Sequence, residues 1–182
     1  MIKFDKIEIR DIVIASVFMG FAFSLFNVNL FVYYFFLAVI FVFVKIFVAK
    51  LVAERYNAKS YFKVWPAGLV ITAVLSFFKL PVMLVGTTET HGYKFGRWKF
   101  RQSRLNVKDI AVVSFVSLVA VMVLSAAFYL LNIRWAAVFG SWFLLSSLIP
   151  VKNFDGEKMI KWDPGVWVTM VILSILMIVF WM

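Results

Sequence analysis

Few side chains in this sequence are of the types that support chemistry, and they lie far apart. The chain contains one histidine, His91, and no cysteine. A carboxylate at Asp155 precedes a glycine in a polar segment between two apolar stretches. A zinc site needs at least three nitrogen, sulfur or oxygen donors from the protein, so one histidine and one distant aspartate predict no such site. We interpret His91 as a solvated loop residue.

The composition indicates which elements must position these residues. Of the 182 residues, 64% are hydrophobic and 15% are charged, and the mean hydropathy is +0.98. A membrane span requires about 20 mostly apolar residues, so the chain has room for about five transmembrane helices and for no soluble domain of any size. The sequence predicts an all-α polytopic membrane protein that forms a single integral membrane domain over residues 1–182.

Polar interruptions divide the apolar sequence into spans. Residues 12–44 carry no charged side chain, and as one helix they would be about 50 Å long, which is too long for one crossing. Asn27 and Asn29 supply the turn that divides this stretch. We predict spans at about 12–26, 30–52, 110–131, 135–150 and 165–182.

The segment at about 64–86 is predicted to be a re-entrant or hairpin element. Lys79 and Pro81 interrupt its apolar character, and the segments on both sides of it are basic. Because positive charge collects in cytoplasmic loops, we expect both flanking segments and the N-terminus on the cytoplasmic side of the cell membrane. The element then enters and leaves by the same face, with its irregular backbone buried in protein.

The formal charge of +10 comes from 19 basic and 9 acidic side chains. In a soluble protein this excess would raise nucleic acid as a partner. In so apolar a chain it predicts basic loops on anionic head groups, so the lipid bilayer, not nucleic acid, is the expected partner. The predicted membrane-surface loop has six basic residues: Lys94, Arg97, Lys99, Arg101, Arg104 and Lys108.

Three separated segments carry a resemblance to a known family. They are residues 50–56 (KLVAERY), residues 65–68 (WPAG) followed by residues 81–86 (PVMLVG), and residues 148–156 (LIPVKNFDG). In this order and spacing they resemble the prokaryotic site-2 proteases, which are intramembrane zinc metallopeptidases. The resemblance implies a site-2-protease-like core of membrane helices.

The same resemblance implies that the catalytic residues are missing. In active members, two histidines of an H-E-x-x-H motif and the aspartate of a D-G motif hold zinc, and the glutamate activates the zinc-bound water. Here Lys45, Ile46 and Ala49 occupy the His, Glu and His positions, and only Asp155 is retained. Ammonium and alkyl groups do not ligate a cation. We therefore expect a pseudoenzyme without a cofactor, zinc included.

Asp155 then needs another partner, because an isolated ionised carboxylate near membrane depth is costly. Lys45 is the predicted partner, with its ammonium group within about 4 Å of the carboxylate. Two alternatives stay open: Lys45 extends to the lipid head groups while Asp155 caps a helix, or Lys79 pairs with Asp155. If the family core is kept, Ser147 and Lys45 also approach each other as a hydrolase pair would.

Three functions are compatible with these residues. The leading hypothesis is a non-catalytic membrane scaffold or binding partner for another membrane protein or a transmembrane helix. The second is an active intramembrane metallopeptidase or other hydrolase with a non-standard site around Asp155. The third is a small transporter or channel subunit in which Lys45, Lys79 and Asp155 line the pathway.

Overall fold

The computed structural model describes residues 4–24, 28–78, 80–95, 100–103, 105–152 and 154–181. Most of these residues are helical. The elements follow the chain in the order α1 (Lys6–Ser24), α2 (Val28–Arg55), β1 (Ala58–Val64), α3 (Pro66–Phe77), β2 (Gly86–Phe95), β3 (Phe100–Ser103), α4 (Val107–Leu130), α5 (Arg134–Ser147), α6 (Asp155–Trp162) and α7 (Pro164–Trp181).

Three helices in the described part of the chain are long and apolar enough to cross a membrane. They cover Asn29–Arg55, Val107–Leu130 and Pro164–Trp181. These helices fit a membrane protein. The predicted spans at 12–26 and 135–150 fall on α1, whose first two turns are charged, and on α5, which has only 14 residues. The count of about five spans therefore stays a prediction.

A three-stranded antiparallel sheet with the order β1-β2-β3 corrects the all-α prediction. β1 pairs with β2 along its whole length, from Ala58 opposite Gly92 to Val64 opposite Gly86. The physical reason is a period of two in β1, where buried side chains alternate with more exposed ones, as a half-buried strand requires. Asn57, with a φ of 49°, makes the turn from α2 into this strand, a conformation that asparagine tolerates.

The sheet includes part of the predicted membrane-surface loop. Positions 94–95 and 100–103 of that loop belong to β2 and β3. Lys108 lies in the first turn of α4 and is exposed. Arg97, Lys99 and Arg104 lie outside the described residues.

Carboxylates of α1 cover the outer edge of β1. Glu8 accepts a hydrogen bond from the backbone N–H of Phe62 at 3.0 Å, and Asp11 accepts one from the N–H of Val64 at 3.3 Å. Glu8 also forms an ion pair of 2.8 Å with Lys50 at the end of α2. An edge strand presents unpaired N–H groups, so these contacts satisfy donors that would otherwise be buried without partners.

The segment at 64–86 consists of α3 and an irregular stretch that returns to the sheet. Two N–H groups of this stretch donate to helix side chains: Met83 N to Ser146 Oγ of α5 at 3.0 Å, and Leu84 N to Thr72 Oγ1 of α3 at 2.9 Å. Met83 and Leu84 are both buried. Irregular backbone is tolerated at membrane depth only in such protein-buried surroundings. Lys79, the proposed rival partner of Asp155, lies outside the described residues.

The helices form one core around α2. This helix packs against α1 and α4, α4 packs against α5 and α6, and α5 packs against α7. Phe41 lies fully buried at the centre, with its ring next to those of Phe128 and Phe139. The packing brings the middle of α2 close to the start of α6, where the candidate site lies.

Candidate functional site

Asp155 is the first residue of α6 and is buried, with only 1% of its surface exposed. Gly156, which follows it, explains how α6 can begin so close to the end of α5. A Cβ atom at this position would lie 2.1 Å from the carbonyl oxygen of Leu148. Only glycine allows this close approach without a shift of the backbone. The D-G pair thus fixes a carboxylate inside the helix bundle.

Lys45 lies in the middle of α2 and points to Asp155. Its Nζ is 2.7 Å from Asp155 Oδ2, and the two side chains are 2% and 1% exposed. The ammonium group also donates to Ser147 Oγ at 3.2 Å and lies 5.3 Å from the centre of the Phe143 ring. The Lys45 side chain is thus buried inside the helix bundle, within the distance expected of a partner of Asp155.

The other carboxylate oxygen is bound from two further elements. Asp155 Oδ1 accepts hydrogen bonds from Ser114 Oγ of α4 at 2.9 Å and from Lys158 Nζ of α6 at 3.0 Å. Lys158 Nζ also donates to Thr87 Oγ1 at 3.3 Å and to the carbonyl oxygen of Thr88, both in β2. We call Lys45, Ser114, Ser147, Asp155 and Lys158 the Asp155 cluster. It links α2, α4, α5, α6 and the sheet.

The surroundings of Asp155 favour its ionised form. Burial alone would raise the pKa of this carboxyl group. The ammonium groups of Lys158 and Lys45 outweigh that effect and hold the pKa of Asp155 well below its usual range. The cluster therefore contains a carboxylate between two cations, and each carboxylate oxygen accepts a charge-assisted hydrogen bond.

The residues present do not fit zinc. Ile46 and Ala49 are fully buried on α2 and offer only alkyl groups, and Lys45 offers an ammonium group. Both oxygens of Asp155 already accept hydrogen bonds from lysines. Across the described ranges, no three or more His, Cys, Asp or Glu side chains are grouped so that they could hold a metal ion.

The contact between Lys45 and Ser147 does not amount to a hydrolase pair. A serine nucleophile needs a neighbouring base with a free lone pair. The Lys45 Nζ instead donates to Ser147 and lies against an ionised carboxylate. In this geometry Lys45 donates a hydrogen bond to the serine and is at the same time the ion-pair partner of Asp155.

His91 lies in strand β2 and not in a loop, which corrects our interpretation of this residue. Its Nε2 is 2.6 Å from the Tyr61 hydroxyl, and its ring stacks on the Tyr61 ring. The same hydroxyl donates to Glu89 at 2.8 Å. The reason is the register of the sheet, in which Tyr61 lies opposite Glu89 and His91 is two positions away on the same face. His91 is not part of the Asp155 cluster.

The sequence did not single out Lys158. A usable signal was its position three residues after Asp155, because residues three apart lie on the same face of a helix. The segment is short, and its helical character was not predicted. Its contacts with β2 also depended on strands that the all-α prediction lacked.

The fold is mostly helical, its three long apolar helices fit a membrane protein, and a buried ion pair lies where the helices meet. The chain is similar to a protein of Methanocaldococcus jannaschii that bears the name "Putative zinc metalloprotease MJ0611". The two are 24% identical in an alignment of 180 positions that covers 91% of this chain and 89% of that protein. No family model and no solved structure matches the chain. The similarity indicates a metalloprotease-like relative.

Proposed function

We propose that this chain is a non-catalytic relative of the site-2 proteases that keeps their membrane fold and uses it to bind another membrane protein or a transmembrane helix. One observation carries the proposal. The Lys45 ammonium group lies 2.7 Å from Asp155, at a position where the family resemblance puts a zinc-binding histidine. A cation fixed by the chain itself thus takes the place of the metal.

The hydrogen bonds of the cluster support this role. Taking two charges out of water costs several kcal/mol per ion, and their attraction repays this only when the geometry is good and the remaining polar atoms are paired. Asp155 has three such donors in Lys45, Ser114 and Lys158. This arrangement is that of an ion pair with a structural role, which holds helices together, because both oxygens of the Asp155 carboxylate already accept hydrogen bonds.

The transporter alternative finds less support. A pathway for ions or protons needs water-lined polar groups across the membrane. Lys45 and Asp155 instead contact each other directly, with almost no exposed surface. Lys79, the third member of the suggested pathway, lies outside the described residues. The packing therefore favours an ion pair with a structural role over a pathway for ions or protons.

A peptidase assay tests the proposal. Full-length protein in liposomes would be given a fluorogenic transmembrane peptide, with and without added Zn²⁺. We expect wild type to cleave it no faster than Asp155→Ala and no faster than Lys161→Gln, a change in an exposed ion pair outside the cluster. Turnover that Asp155→Ala abolishes and Lys161→Gln preserves would establish the active-hydrolase alternative.

A further inference from the structure

Helix α3 has its small and polar residues on the inside and its large apolar residues on the outside. Thr72 and Ser76 are 0% and 4% exposed, and Gly68, one turn before Thr72, is also buried. The outer face carries side chains that are 39–71% exposed: Val70, Ile71, Val74, Phe77 and Phe78. A surface helix in water shows the reverse arrangement, with its apolar residues against the core. The outer face of α3 therefore suits an apolar surrounding and not water.

The inner face of α3 binds the stretch at 80–85, which returns to the sheet. Leu84 N donates to Thr72 Oγ1 at 2.9 Å, and Ser76 Oγ donates to the carbonyl oxygen of Thr72 at 2.6 Å. A Cβ atom at Gly68 would clash with the carbonyl oxygen of Leu84, so the returning stretch lies directly on the helix. The two polar side chains of the inner face are thus bonded within this element.

The segment leaves the sheet and returns to the same point. Val64, before α3, pairs with Gly86, after it, and Trp65 N donates to the carbonyl oxygen of Val85 at 3.0 Å. The 12 residues of α3 rise by about 18 Å. One half of the hydrocarbon core of a bilayer is about 15 Å thick. Helix α3 is therefore long enough to reach the middle of a bilayer and too short to cross it.

The base of α3 lies at the charged end of α1. Asp11 accepts a hydrogen bond from the N–H of Val64, two residues before α3 begins. From there α3 packs against α1, which carries no charged side chain between Ile12 and Ser24. Charged residues mark the boundary of a membrane protein's apolar layer. The sheet and the base of α3 accordingly belong at this boundary.

We propose that α3 is a half-membrane helix, which enters one leaflet from the side of the sheet and contacts lipid acyl chains with its outer face. Phe77 and Phe78, each 71% exposed, then lie near the middle of the bilayer. Lys79 follows them and is the one charged residue in the sequence between Val64 and Gly86. Lipid contact with the large apolar side chains offsets the cost of this single charge. The proposal rests on the membrane character of the chain and not on the absence of catalysis.

Spin labels test this placement. The chain has no cysteine, so one cysteine can be introduced and labelled at a time in full-length protein in liposomes. Power saturation measures contact of the label with oxygen, which enters lipid, and with a water-soluble nickel chelate. The oxygen-to-nickel ratio should rise from Val70→Cys through Val74→Cys to Phe77→Cys. Ile172→Cys, on an exposed position of the α7 span, is the lipid reference, and Lys59→Cys, on an exposed position of β1, is the water reference.

At Phe77→Cys the ratio should match that of the lipid reference and exceed that of the water reference severalfold. Nickel contact as high as at Lys59→Cys would place the end of α3 in water and overturn the proposal. An equal ratio at all three α3 positions would mean that the helix lies flat on the membrane surface. Poor contact with both reagents would mean that a second copy of the chain, and not lipid, covers the face.

The replaced side chains are exposed, so the labelled variants should keep the melting temperature of wild type. If Phe77→Cys does not, Phe78→Cys reports on the same end of the helix and is subject to the same criteria. The result is independent of the peptidase assay, because a half-membrane helix is compatible with an active or an inactive protein.

Discussion

Lys45 Nζ and Asp155 Oδ2 lie 2.7 Å apart in the interior of the helix bundle, although they belong to α2 and α6. The contact joins the middle of α2 to the first residue of α6. Under the proposed relationship to the site-2 proteases, these are the positions of a zinc-binding histidine and of the retained aspartate. The ion pair would then hold together two elements that a metal holds in active members.

The first prediction concerns the pair itself. Lys45→Met should lower the free energy of unfolding by about 3 kcal/mol, because removal of one partner weakens the compensation of a buried charge. Denaturation of the purified protein in detergent measures this. Lys161→Gln, which breaks an exposed ion pair, should lower the free energy of unfolding by less than about 1 kcal/mol.

A double-mutant cycle of Lys45→Met with Asp155→Asn should show coupling between the two positions. If the two single-variant effects on the free energy of unfolding add within about 0.5 kcal/mol, the result would argue against a direct interaction.

The second prediction concerns the glycine after Asp155. Gly156→Ala should be strongly destabilising, because its Cβ would meet backbone atoms of Leu148 at 2.1 Å and 2.5 Å. Gly165→Ala is the matched control at the start of α7, where the nearest contact is 3.2 Å from a side-chain oxygen of Asp163. Thermal melting should separate the two variants clearly. Equal melting temperatures would show that α6 can move away from α5 at little cost.

The third prediction concerns the contact between α1 and the sheet. Glu8→Ala should cost about 2 kcal/mol, because it leaves the N–H of Phe62 and the ammonium group of Lys50 without this acceptor. Glu8→Gln keeps an acceptor oxygen and should cost less. Amide hydrogen exchange at Phe62 should be faster in the alanine variant than in the glutamine variant. Unchanged exchange in both would mean that α1 does not protect the edge of β1.

The fourth prediction concerns the pH dependence of the sheet. Burial alone would raise the pKa of Glu89, but the hydrogen bond from Tyr61 and the charge of Lys63 hold it below its usual value. Because the pKa of Glu89 is lower in the folded state, its ionised carboxylate stabilises the fold at pH values above the unfolded-state pKa of about 4.3. This stabilisation is lost as the pH falls through the lowered pKa of the folded state.

Comparison with Glu89→Gln isolates this effect. The advantage of wild type in melting temperature should shrink as the pH falls below about 4. Since Glu89 is partly exposed, the change should be small. An advantage that grows below about pH 4 would have the wrong sign for a carboxylate with a lowered pKa.

The sequence was sufficient to place most helices and to pair Lys45 with Asp155 as a hypothesis. Long apolar runs identify helices by composition alone, and a lone buried carboxylate demands a cation. The sheet was harder to predict, because its strands are polar and acquire their pattern of burial from the helices that they pack on. Lys158 was missed for the same reason, since two of its acceptors lie in β2.

The zinc content of the purified protein tests the central claim most directly. Wild type purified without chelators, and then incubated with equimolar Zn²⁺ and desalted, would be measured by elemental analysis beside Asp155→Ala. If Lys45 fills the place of the metal, both proteins should hold far less than one zinc per chain and should not differ. One zinc per chain in wild type that is lost in Asp155→Ala would contradict the account, because it would show that Asp155 binds a metal and not the Lys45 ammonium group.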